Sequence, residues 1–271
     1  MSDAVVTNPW SALRRHTPAH VGLGRAGVSL PTATHLAFTL AHARARDAVH
    51  DRLDVPTLRA ALGTLGLETL GLHSAAPDRA AYLQRPDAGR RLDEASHRAL
   101  DVLGLPYQAD RHDVAFVVCD GLSSRAVQAH AVPLLRDVLP ALREQGGWEV
   151  APVAVVEQGR VAVGDAVGEA LRVPLVVVLI GERPGLSAPD SLGAYLTWDP
   201  RPGRTDAERN CISNIRPEGQ APADAARRLV ALMTEARRRE LSGVNLKDEH
   251  DIPPSAASSP IALLGESGSL R

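Results

Sequence analysis

Two cysteines, a few carboxylates and several glycine-bearing turns are the groups here whose types and spacing could do chemistry. Cys119 and Cys211 stand apart, with no C-x-x-C pair, so a four-cysteine zinc site or a disulfide framework has no support and no metal site is expected. Cys211 lies in Arg209-Asn210-Cys211-Ile212-Ser213-Asn214-Ile215. There it could be a thiolate nucleophile, an inert packed thiol or a small soft contact surface, and the polar groups around it suit an amide-bearing ligand. Asp120-Gly121-Leu122-Ser123 follows an apolar run, so Asp120 or Ser123 could cap a helix or that helix start could meet an anion. Ser123 has no G-x-S-x-G elbow and no histidine fixed beside it, which argues against a hydrolase. The densest segment runs from Gly181-Glu182-Arg183-Pro184-Gly185-Leu186 to Gly193. Proline fixes φ and glycine frees it, so this stretch is either a plain turn or a shaped loop presenting Glu182 and main-chain groups to a polar ligand.

Three further patterns compete. Gly22-Leu23-Gly24-Arg25-Ala26-Gly27 matches the dinucleotide fingerprint, with Asp47 at the expected distance. It follows no strand and opens no helix, so a loop with Arg14, Arg15 and Arg25 for partner or phosphate contacts is the other reading. Asp110-Arg111-His112 has the D-x-H spacing of cobalamin domains in which histidine replaces the cofactor's own base on cobalt, yet Ala115 stands where that motif has glycine. His112 also precedes its strand, whereas an axial ligand comes from beyond a strand's end. The arginine-dense stretch Arg79 to Arg91 is either solvated charge or a dock for a carboxylate-bearing protein surface.

The elements that must position these groups fall into two textures. Helical spacing marks Thr32 to Leu53, Pro56 to Leu65 and Arg90 to Leu103, with no strand signal before residue 112. From Asp113 onward, D-V-A-F-V-V-C-D, V-A-P-V-A-V-V and P-L-V-V-V-L-I-G alternate with helices over Ser123 to Glu144 and Asp165 to Leu171. Strands apolar on both faces and separated by helices indicate a mainly parallel, covered sheet, with ligands beyond the carboxyl ends where Asp120, Gln158 and Glu182 sit. A last helix fits Asp224 to Leu241. The expected organisation is α/β: a helical N-terminal subdomain (1–108), a Rossmann-like domain (109–248) and a disordered tail (249–271).

Composition sets the outer bounds. A chain of 271 residues with 44% hydrophobic content can bury a sizeable core. Thirty basic residues against 32 acidic ones leave no overall field for nucleic acid or an anionic membrane. Lys247 is the single lysine, which argues against a lysine nucleophile or Schiff base. No run approaches the roughly 20 apolar residues of a membrane span and the start has no signal-peptide pattern, so the expected address is the cytoplasm.

The motifs T-P-A-H-V-G-L-G-R-A-G, H-A-R-A-R-D, L-Q-R-P-D-A-G-R-R-L, D-G-L-S, G-R-V-A-V-G-D, G-E-R-P-G-L, R-N-C-I-S-N-I and L-S-G-V-N-L-K-D stand in one order from Trp10 to Asp248. In that order the chain resembles the small subunits of adenosylcobalamin-dependent ethanolamine ammonia-lyase. Ala88 departs from the leucine usual in that family's R-P-D-L-G-R. The resemblance implies a carbon-nitrogen lyase subunit, inactive alone, that holds adenosylcobalamin against a larger barrel subunit in a hetero-oligomer. The cofactor would be base-on, and the reaction would turn ethanolamine into acetaldehyde and ammonia. It places cofactor contacts on Val161, Glu182 and Cys211 and no catalytic residue on this chain. A bacterial microcompartment stays open as an address. Two rivals stand beside it: a self-sufficient Rossmann-type nucleotide-binding enzyme built on the Gly22 loop, and a structural assembly subunit without cofactor contact.

Overall fold

The computed structural model describes residues 5–6, 8–104 and 112–247. The tail expected over 249–271, and Asp110-Arg111 of the D-x-H pattern, lie outside the described residues. The described residues divide into two compact units, one up to Leu40 and one from Ala41.

In the first unit a 3-10 helix, Pro9–Arg15, is capped by Asn8, whose side chain accepts from the Trp10 amide. Gly22 has φ +59, and a Cβ there would strike the Trp10–Ser11 backbone. Its glycine is therefore spent on a tight approach within the unit, and helix α1 (Thr32–His50) starts only ten residues later. The strand-turn-helix setting of a dinucleotide site does not form.

The larger unit contains α2 (Val55–Gly63), β1 (Thr69–His73), α3 (Arg79–Gln84), α4 (Glu94–Gly104), β2 (Val114–Cys119), α5 (Ser124–Gln145), β3 (Val153–Glu157), α6 (Val163–Ala170), β4 (Leu175–Gly181), β5 (Leu192–Trp198), β6 (Arg209–Ile215) and α7 (Pro222–Arg239). The six strands form one sheet ordered β1-β3-β2-β4-β5-β6. Pairings from β1 to β4 are parallel, and β5 and β6 add antiparallel. The fold is thus α/β with a mainly parallel sheet, as expected. Contrary to the sequence reading, a strand does occur before residue 112: β1 closes one edge of the same sheet.

Strand alternation sorts the core into two layers. Val114, Phe116 and Val118 of β2 and Leu175, Val177 and Leu179 of β4 pack toward α5 and α7. Ala115, Val117 and Cys119, with Val176, Val178 and Ile180, pack toward α6 and α4. Because the successive helices α5 and α6 cover opposite faces, β3 and β4 fall on either side of β2. The carboxyl ends of these three strands open where the winding reverses, the usual place for a ligand in such sheets. His112 sits at the other, amino-terminal end, where it lines a separate hollow with Arg172 and Asp199. Among the described residues no helix is long and apolar enough to cross a membrane.

Candidate functional site

A cleft of about 1250 Å³ opens at those carboxyl ends. Gly121 follows β2, Arg160 and Val161 follow β3, Gly181 and Glu182 close β4, and Tyr195 comes from β5. Arg90, Arg91 and Leu92, between α3 and α4, supply the facing rim. Val161 and Glu182, two of the three residues singled out from sequence, therefore line one cavity.

Glu182 is held firmly. Its Oε2 accepts from the Ser191 hydroxyl and, at 3.1 Å, from the Asn214 amide. Its own amide donates to Ser191 O at 2.9 Å. Among the described residues no hydrogen bond is made to Oε1, so one oxygen is left for a ligand's donor. The loop between Glu182 and Ser191 is pinned from two sides. Ser123 Oγ donates to Pro189 O at 2.8 Å and Arg216 to Ser187 O at 2.8 Å. Ser123 also caps α5 through the Ala126 amide, so the capping reading and a loop-bracing role are both realised.

Cys211 is exposed on the edge strand β6, directly opposite Tyr195. It is not part of the cleft wall itself but adjoins it through that tyrosine. Partial desolvation and the nearby Glu182 carboxylate push its thiol above the ordinary range, against a hydrogen bond with Tyr195 that lowers it. A thiol held in that state is a poor nucleophile and a suitable soft contact.

Two arginine-carboxylate pairs brace the cleft: Asp165 and Arg209 line it, while Arg79 and Asp120 stand behind its Gly121 and Tyr82. Arg209 makes two 2.7 Å bonds to Asp165, with side chains 2% and 1% exposed, and donates to Thr197 at 2.9 Å and Arg204 O at 3.1 Å. That fork ties α6, and so the Val161 turn, to the strand carrying Cys211. Behind the β2 side of the cleft Arg79 is 3.7 Å from Asp120. It donates to Val49 O, Gly121 O and the Gln158 side chain at 2.6, 2.7 and 3.3 Å. Burial lifts Asp120 to about 6, against the opposing pull of Arg79 and of backbone amides such as that of Gly159. The guanidinium of Arg79 lies over the Tyr82 ring at 4.8 Å and that of Arg160 at 4.6 Å, while Tyr82 Oη donates to Gly159 O at 3.3 Å.

The sequence model of the ethanolamine ammonia-lyase light chain matches residues 7–247. The chain belongs to that family. It is similar to the ethanolamine ammonia-lyase small subunit of Ralstonia nicotianae, 58% identical over 249 residues and 92% of each chain. It is also similar to those of Pseudomonas paraeruginosa, 55% over 263 residues (96% and 94%), and Azotobacter vinelandii, 56% over 275 residues (98% and 100%). Ethanolamine ammonia-lyase is a lyase, and a small subunit implies a larger one beside it.

Within this ethanolamine ammonia-lyase subunit, sequence reasoning passed over Arg160, Tyr195 and the Asp165–Arg209 pair. Asp165 and Arg209 lie in motifs already noted, but they are 44 positions apart and nothing in the order of residues pairs them. The arginine-dense stretch splits by fate. Arg79 turns inward, Arg85 and Asp87 form an exposed pair at 3.0 Å, and Arg90 and Arg91 reach the cleft. Ala88, at the position where leucine is usual, is buried beside Tyr82.

Proposed function

We propose that this chain covers one face of a base-on adenosylcobalamin held between it and the larger subunit, in a hetero-oligomer that deaminates ethanolamine to acetaldehyde and ammonia. The bound cofactor would supply the radical initiation of that reaction. This chain's residues would bind, orient and exclude water, and none would act as catalytic acid, base or radical site. Glu182 Oε1 accepts from a corrin side-chain amide, Val161 packs on the ring, and Cys211 touches it through sulfur. The residues present suit such a ligand. The supporting observation is that Glu182, Val161 and the Tyr195–Cys211 pair converge on the cleft at the sheet's carboxyl ends, with one oxygen of a fixed carboxylate left to accept. The Rossmann-like, corrin-contacting part proposed for 109–248 also draws on Arg90 to Leu92 from the preceding segment. The proposed address is the cytoplasm or a microcompartment within it.

Co-expression with the larger subunit provides the test. The assembly should turn over ethanolamine only with added adenosylcobalamin, and the isolated chain should not. In equilibrium dialysis of that complex, Glu182→Ala should raise the cofactor's dissociation constant about tenfold, the loss expected for a hydrogen bond to a charged acceptor. Turnover by the chain alone would overturn the division of labour. An unchanged constant would remove Glu182 from the site.

A further inference from the structure

Arg160 is half-buried and differs from three other arginines of this unit in having no counter-ion among the described residues. Arg79 has Asp120, Arg209 has Asp165 and Arg216 has Asp190 and Glu218. Arg160 donates once, from a terminal nitrogen to Tyr82 O at 3.3 Å, and its guanidinium lies over the Tyr82 ring. Its Nε is buried with no hydrogen-bond partner among the described residues, and no Asp or Glu pairs with it there. The side chain nevertheless lines the cleft, one residue before Val161, and Arg90 and Arg91 line it as well. Three carboxylates also line the cleft: Asp165 is engaged by Arg209, Glu182 through Oε2 by Ser191 and Asn214, and the exposed Asp206 stands 3.8 Å from Arg209 Nε; among the described residues none of them pairs with Arg160. A half-buried guanidinium on the cleft wall without a counter-ion, joined there by the exposed Arg90 and by Arg91, which stands 3.5 Å from Asp87, is a site for an anion.

Resting on the cofactor reading above, we infer that Arg160, assisted by Arg90 and Arg91, binds the phosphodiester of the cobalamin nucleotide loop. The side chains around a corrin end in neutral amides, so on a base-on cobalamin the phosphodiester is the one peripheral anion. A planar guanidinium offers it paired donors that an amide-binding site would not need. Arg160 then selects the complete cofactor, with its loop, over a corrinoid that lacks one.

The test compares two ligands on the assembled two-subunit complex by equilibrium dialysis: adenosylcobalamin, and adenosylcobinamide, which has the same ring and adenosyl group but no nucleotide loop. Arg160→Gln should weaken adenosylcobalamin about tenfold or more and leave adenosylcobinamide within about twofold. Should that variant fail to assemble, Arg91→Gln reads the same ratio at a side chain 68% exposed, with an expected drop of about threefold for a solvent-exposed contact. Equal weakening of both ligands, or no change in their ratio, overturns the assignment. Failure of the unsubstituted complex to bind either ligand overturns the cofactor reading, and this inference with it. Binding of both with equal affinity spares that reading and overturns the inference alone.

Discussion

The β6 wall of the cleft and the β2 wall, whose ion pair lies behind Gly121, solve one problem, an arginine and an aspartate out of water, in different ways. On the β6 wall Arg209 and Asp165 meet fork to fork, and Thr197 and a backbone oxygen take further protons from the same guanidinium. On the β2 wall Arg79 stands 3.7 Å from Asp120, spends its donors mostly on backbone oxygens, and leaves the carboxyl at about 6. Both aspartates are buried, so what distinguishes the two pairs is their geometry: a bidentate fork in one and a 3.7 Å approach in the other. The β6 wall is a fixed strut between two proposed cofactor contacts, while the β2 wall can take up a proton.

Removing the arginine from each wall tests that contrast most severely. Arg209→Ala leaves Asp165 buried and without its fork, and should destabilise the chain by about 3–5 kcal/mol in urea unfolding. Arg79→Ala should cost clearly less at pH 6, because Asp120 can neutralise itself by binding a proton. Equal losses at the two positions would erase the distinction between the walls.

A smaller effect separates charge from packing on the β2 wall. Asp120 has a folded-state value of about 6 against 3.8 in the open chain, so the folded form binds the proton more tightly. Its contribution to stability is complete below pH 4 and is lost as pH rises through 6, an amount of up to about 3 kcal/mol at 1.36 kcal/mol per unit. Asp120→Asn abolishes that titration. The difference in unfolding free energy, unsubstituted minus variant, should therefore fall between pH 4 and 6. A flat difference would show that the wall holds a permanent charge.

How much of this is legible in sequence follows the same division between local and distant causes. The runs Val114–Cys119, Val153–Glu157 and Leu175–Gly181 announce themselves because both faces are buried, and the parallel sheet and its ligand-bearing ends follow from them. β1 escapes notice because Thr69-Leu70-Gly71-Leu72-His73 is an edge strand with only Leu72 fully buried. β5 is masked by its Gly193 and by the proline-glycine loop that leads into it. Glu182 and Val161 are found through their motifs. The wall pairs are not, since Asp165 and Arg209, or Arg79 and Asp120, become neighbours only when strands distant in sequence lie side by side. The orphaned Nε of Arg160 is likewise a property of the fold: an arginine is conspicuous in sequence, its missing partner is not.

The gentlest test lies where the β2 wall meets the Glu182 loop. Ser123 is fully buried and does two things with one oxygen: it accepts from the Ala126 amide at 3.3 Å, and it donates to Pro189 O at 2.8 Å. Ser123→Ala removes a helix cap and one of the ties on the loop, which should lower stability by about 1 kcal/mol in thermal unfolding. Arg216 still holds the loop through Ser187 O, and the hydrogen bonds to Glu182 Oε2 are untouched. Cofactor affinity in the assembled complex should then change by less than about threefold, far below the effect of Glu182→Ala. A loss of affinity as large as that of Glu182→Ala would mean that the loop is positioned from the β2 wall.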